Sequence, residues 1–372
     1  MKILSHLLFL GSLAASVEAK QARIIGGQDA DRFGFPHLAY LARAGGELIC
    51  TGSLVSQSLV LTSAHCRWPG IKKVQIGRWD TTDSTEAYEE RVIVKEHLHP
   101  AWDDEFLTND MVLLELDFPV VGVPVINVAK DETALTPGKQ IVAVGYGVDG
   151  TGELPDKVQV VELDYLPNEE CMGFRGNTTR EDGTTREVPY SSILQSDHMC
   201  THFSDDIPRD FCKGDSGGPL LIRNSKWRVP LTPSTTRYSQ AQLQGPQFIK
   251  SRQDSVEADS TYTQIGIASL GFDCADENAP GIGQRIAASY DFIRSTICRV
   301  DGDVSPKAYN CGDFFDFGQY PGTGVCDGAT GPNSCTIRSD CNTAVGECCM
   351  YSSCTCTVPE GVGTFMCVPN KA

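Results

Sequence analysis

The chain has 372 residues, with 48 acidic against 31 basic side chains and a formal net charge of −17. That length can bury a full core and leaves room for more than one domain. The charge excludes nucleic acid or an anionic membrane as the main partner, because both need a basic footprint.

At the start, Lys2 precedes an apolar run over residues 3–15, then Val17-Glu18-Ala19, with small residues where a signal peptidase cuts. The run is too short to span a bilayer comfortably, so residues 1–19 are expected to be a cleaved secretory signal and the product a secreted, extracellular protein. Sixteen cysteines agree with an oxidising compartment, where disulfides persist.

Over residues 24–297, short β-branched runs are punctuated by Gly, Pro and Asp: LVSQSLVLTSA, VQIGRW, MVLLEL, QIVAVGYG, VQVVEL and TQIGIASLG. This pattern predicts an all-β barrel or sandwich. The best helix candidate is ASYDFIRSTI, residues 288–297, with Tyr290, Ile293 and Ile297 at helical spacing. Asn177-Thr178-Thr179 is a glycosylation sequon, expected to carry a glycan in an exported chain. The polar stretch 223–263 reads as a long exposed insertion, open either to self-cleavage at its Arg and Lys residues or to a partner. After Cys298 the composition shifts: nine cysteines fall within residues 311–367 and few aliphatics remain, so 299–372 is expected to be a small, disulfide-stapled domain.

Three stretches carry chemistry. LTSAHC places His65 after an apolar run, TNDMVLLEL places Asp110 at the head of another, and GDSGGP sets Ser216 among glycines. A serine hydroxyl needs an imidazole to take its proton, and the imidazole needs a carboxylate to fix its tautomer and stabilise its charge. In the order His, Asp, Ser these residues resemble the chymotrypsin/trypsin-type serine proteases over residues 24–297.

The resemblance implies an all-β fold, a double six-stranded antiparallel β-barrel with a C-terminal helix, as a protease domain over 24–298. It implies His65 as general base and then acid, Asp110 as its orienting partner, Ser216 as nucleophile, and the N–H groups of Gly214 and Ser216 as oxyanion hole. ARIIGG offers a cut after Arg23, removing a propeptide of residues 20–23 and freeing the amino group of Ile24 to pair with Asp215, the switch of a zymogen. Asp210, six residues before the serine, is implied to pair with a substrate Arg or Lys, in a substrate-binding pocket with Ser269, Gly271 and Gly281. Phe211, Leu270 and Gly283 depart from the family pattern there. Implied disulfides join Cys50 with Cys66, Cys171 with Cys200, and Cys212 with Cys274; parity then sends Cys298 into the tail, where Cys311 is nearest.

Asp80, Asp83, Glu86, Glu89 and Glu90 invite a calcium reading, but Arg78 stands where trypsin-like relatives supply a first ligand, so a solvated acidic loop is expected and no metal or cofactor is assigned. The tail segment 335–356 weakly resembles whey-acidic-protein-type modules. The reading is a secreted serine endopeptidase cutting after Arg or Lys in protein or peptide substrates, monomeric and open to protein inhibitors. The alternative is a protease-fold binding protein whose cleft is unused.

Overall fold

The computed structural model describes residues 24–67, 70–148, 152–179, 183–224, 258–272, 274–276, 278–302 and 305–311, with two short strands at 354–357 and 366–369. A two-residue strand β1 (Gln28–Asp29) precedes the first barrel. That barrel closes from β2 (Leu38–Ala42), β3 (Leu48–Ser56), β4 (Leu59–Thr62), β5 (Lys73–Ile76), β6 (Glu89–Leu98) and β7 (Val112–Leu116), in the ring order β2-β3-β4-β7-β6-β5 with antiparallel pairing throughout. Its β2 and β4 are wholly buried, whereas β6 is charged and half exposed.

The second barrel follows β8 (Val125–Val128) and is built from β9 (Gln140–Gly145), β10 (Gln159–Leu166), β13 (His198–His202), β14 (Pro219–Arg223), β15 (Ala258–Leu270) and β16 (Gly281–Arg285). Pairing of β10 with β9 closes the ring; β1 adds to β10, and β8 runs parallel to β15. A four-residue helix α1 (Asn168–Cys171) and the hairpin β11 (Arg175–Thr179) with β12 (Thr185–Pro189) occupy the connection from β10 to β13. The double barrel implied by the resemblance is thus the observed fold.

Each barrel has its own core, Leu41, Leu54, Val60, Val74 and Leu114 in the first, Ile141, Val161, Leu163, Met199 and Leu220 in the second. A third cluster joins them. Leu38, Val55 and Leu59 from the first barrel meet Val142, Val144, Leu221 and Ile267 from the second. Full burial of each such side chain is worth roughly 1.5–3 kcal/mol, so this seam holds the halves together strongly. Polar bonds fix its register: Ser53 Oγ donates to Gln264 Oε1 (2.8 Å), and Ser63 Oγ to the Ala268 carbonyl (3.0 Å).

Three expectations change. The helix α2 runs Tyr290–Asp301, four residues past the periodic run, and stops where Gly302 takes φ +54. The insertion is shorter than 223–263, because Ile222 and Arg223 pair with Thr263 and Tyr262 as regular ladder, leaving 225–257 outside the described residues. Glu89 and Glu90 do not belong to an acidic loop but open β6, where Glu90 accepts from Gln75 Nε2 (2.9 Å) and Lys73 Nζ (3.2 Å) on the neighbouring strand.

The packed unit continues beyond α2. Tyr309 is buried among Ile293, Ile297 and Cys298, Arg294 donates to the carbonyls of Tyr309 and Asn310, and a disulfide joins Cys298 to Cys311. In the tail, β17 (Cys354–Thr357) pairs antiparallel with β18 (Met366–Pro369). The whey-acidic-protein-like resemblance otherwise falls outside the described residues, as do residues 1–23.

Candidate active site

His65 sits in a single 3-10 turn, Ala64–Arg67, at the end of β4. Its backbone N–H donates to Asp110 Oδ1 (2.9 Å), and its ring Nδ1 lies 2.7 Å from Asp110 Oδ2. A carboxylate can only accept, so the ring proton belongs on Nδ1 and the Nε2 lone pair is free to take a proton. Asp110 is fully buried. Burial pushes its carboxyl up, yet the hydrogen bond and electrostatic pull of the His65 ring, with hydrogen bonds from the Ser269 hydroxyl and the His65 backbone, together outweigh that and hold it below the ordinary range.

Ser216 approaches the same place from the second barrel. Its carbonyl accepts from Thr51 N–H (2.9 Å), the Gly217 N–H donates to Ala268, and the Ala268 N–H donates to Gly218. His65 Nε2 and the Ser216 carbonyl both stand against Cys66 Sγ, at 3.8 and 3.7 Å, so the Cys50–Cys66 disulfide floors the junction. Gly217 takes φ +80 with the position of a Cβ only 1.9 Å from Thr62 Oγ1, which no side chain could tolerate. Gly214 takes φ +98, and its carbonyl accepts from Thr51 Oγ1 (2.8 Å).

Asp215 points inward, accepting from the N–H groups of Gly147 (2.8 Å) and Cys212 (2.9 Å). Burial pushes its carboxyl up to about 7, only partly offset by those two bonds. Ile24 is fully buried in the core of the second barrel, and the Ile25 carbonyl accepts from the Asp210 N–H (3.2 Å), so this segment packs directly beside the Asp210 loop.

Asp210 is buried and accepts from Phe211 N–H (2.9 Å) and Ala275 N–H (3.2 Å). Burial raises its carboxyl to about 8, with Asp215 adding a smaller push in the same direction. Gly281 faces it: a Cβ there would lie 2.7 Å from Asp210 Oδ1 and 2.8 Å from Phe211 Cζ. Gly271 is exposed, with nothing within 4 Å of a Cβ position. Phe211 itself is buried in the core with Met199, Leu220 and Ala268. The Cys212–Cys274 disulfide ties this loop to the segment beyond Gly271, and Cys171–Cys200 braces the base of the β11–β12 hairpin. Asn177 is exposed on β11.

Sequence reasoning missed four contributors. Ser269, expected at the substrate pocket, also donates its hydroxyl to Asp110 Oδ2, a role the sequence did not indicate. Gly145 and Gly147 leave the space that the Asp215 carboxyl fills, Cβ positions there lying 2.1 and 2.4 Å from its atoms. Gln284 accepts from the Asp110 N–H (3.0 Å). The VGYGVDG run was the one available signal for the two glycines.

Two antiparallel barrels with a carboxylate-held histidine at their junction define the class of chymotrypsin-like serine peptidases. The Trypsin family model matches residues 24–293, and the chain belongs to that family. It is similar to Granzyme-like protein 1 of Rattus norvegicus, 30% identical over 227 residues, or 58% of this chain and 83% of that protein. It is also similar to Anionic trypsin of Canis lupus familiaris, 25% identical over 301 residues (80% and 98%), and to Chymase of Mus musculus, 28% identical over 222 residues (58% and 81%).

Proposed function

We propose that the protein is a secreted endopeptidase, made as a zymogen, that hydrolyses protein or peptide substrates after Arg or Lys. The observation that carries this reading is the hydrogen-bonded His65–Asp110 pair beside the glycine-framed Ser216. Ser216 Oγ attacks the scissile carbonyl while His65 Nε2 takes its proton; Asp110 stabilises the imidazolium that results. The N–H groups of Gly214 and Ser216 receive the oxyanion, and His65 returns the proton to the leaving amine. Water then repeats the sequence on the acyl-enzyme, restoring Ser216.

The preference for a basic residue rests on Asp210. No basic side chain among the described residues pairs with this buried carboxyl, so an incoming guanidinium or ammonium would supply the counter-charge that lets it ionise. Cleavage after Arg23 would bring the Ile24 ammonium to Asp215 in the same way. The peptidase unit on this reading extends to Cys311, with the remaining tail an accessory disulfide-rich domain and Asn177 a glycan site. The test is to activate the purified chain with trypsin, remove the activator, and assay Arg, Lys and Phe reporter peptides. Hydrolysis of the Arg and Lys peptides that disappears in Ser216→Ala supports the proposal; equal activity in that variant overturns it.

A further inference from the structure

The loop that delivers Asp110 is held by the second barrel through contacts outside the triad. Gln284, fully buried on β16, accepts the Asp110 N–H at 3.0 Å. Its amide nitrogen donates to both the carbonyl and the Oδ2 of Asp197, each at 3.1 Å. Asp197 Oδ2 also accepts the Asn109 N–H at 2.6 Å. Two successive backbone N–H groups, at 109 and 110, are therefore received by one connected pair of side chains.

The backbone needs that grip. Asn109 takes φ +51, a conformation that L-residues adopt rarely, and Leu107 takes φ +51 as well, its carbonyl receiving His198 Nε2 at 2.9 Å. Such a loop relaxes unless its surroundings over-determine it. The first barrel supplies β7, which follows the loop, while residues 197, 198 and 284 come from the second.

We propose that Gln284 and Asp197 are positioning residues for the peptidase reaction, setting the height and tilt of Asp110 and hence the His65 Nδ1 contact. The inference rests on the proposed function and deepens it. Neither residue touches the reacting atoms; each acts through the backbone of residues 109 and 110. Misplacement by about 1 Å is enough to lower turnover roughly 100-fold when groups must meet in a fixed geometry.

The test compares wild type, Gln284→Met, Asp197→Ala and Asp197→Asn after activation, with turnover expressed per burst-titrated site so that unfolded chains do not count. Gln284→Met and Asp197→Ala are expected to lower kcat about 10- to 100-fold with KM within about twofold. Asp197→Asn keeps an oxygen for the Asn109 N–H and is expected to recover most of the turnover. Thermal unfolding of all four reports any loss of fold separately. Wild-type turnover per site in both Gln284→Met and Asp197→Ala, or an Asp197→Asn no better than Asp197→Ala, overturns the positioning role alone. Wild type lacking Ser216-dependent activity overturns the peptidase reading and this inference with it.

Discussion

Ser269 Oγ donates to Asp110 Oδ2 at 2.5 Å, the same oxygen that faces His65 Nδ1. One carboxylate oxygen thus serves two donors, and the second donor tunes how much charge is left for the imidazole. A hydrogen bond to a charged group is worth about 1.5–3 kcal/mol. Ser269→Ala is expected to lower kcat/KM about 10- to 100-fold on every reporter peptide alike, read by steady-state kinetics. A loss confined to one peptide would instead mark Ser269 as a substrate contact.

Two buried acids make the folded chain sensitive to rising pH. Asp210 and Asp215 are raised to about 8 and about 7, so between pH 4 and these values the folded chain holds protons that the unfolded chain has lost. Stability therefore falls as pH rises through this window, by at most ~1.4 kcal/mol per unit for each group. Tm of the uncleaved Ser216→Ala chain is expected to drop steadily from pH 5 to pH 8. After cleavage at Arg23 the slope should flatten, because an ammonium at Asp215 lowers its carboxyl. Scanning calorimetry on both forms reads the difference.

Arg78 lies at the acidic loop that follows β5. Its guanidinium donates to Gln75 Oε1 and to the Thr81 carbonyl, both at 2.5 Å, and lies over the rings of Tyr40 and Tyr88. A fixed internal cation thus occupies the neutral acceptors, while the carboxylates of Asp80, Asp83 and Glu86 accept from the loop's own N–H and O–H groups. Tm is expected to be unchanged by either EDTA or millimolar calcium, whereas Arg78→Met should cost about 2 kcal/mol in urea unfolding. Calcium-dependent protection of wild type would contradict this assignment.

Phe211 and Gly281 divide the space around Asp210. Since the Phe211 ring is buried in the core, Phe211→Ser is expected to lose about 3–5 kcal/mol of stability. Gly281→Ala would press a methyl group against both Asp210 and Phe211, raising KM for Arg reporters at least about tenfold with a smaller change in kcat. Unchanged stability in Phe211→Ser, with faster cleavage after Lys, would place the ring in the cleft instead.

The sequence made the histidine, aspartate and serine visible because each lies in a short run whose neighbours are themselves constrained: the cysteine after His65, the apolar strand after Asp110, the glycines around Ser216. Residues that act across the seam left no such trace. Ser269 and Gln284 reach Asp110 over 159 and 174 residues of chain, and nothing in their local surroundings announces the pairing. The β6 strand was hidden for another reason: its half-exposed, charged alternation lacks the apolar run that marked β3, β4, β5, β7, β9, β10 and β15. Phe211 was visible as an anomaly, but whether its ring turned toward cleft or core depended on Gly281, 70 positions away by number.

The seam has a further consequence. His65 rides on one half of the molecule, while Ser216 and Ser269 ride on the other, with Asp110 leading into the first barrel yet gripped by the second. A slight rocking of the halves would leave every strand ladder intact and still part His65 from Ser216. On the proposed peptidase reading, turnover gauges how the two barrels are seated, and mild denaturant is expected to abolish it before either barrel melts.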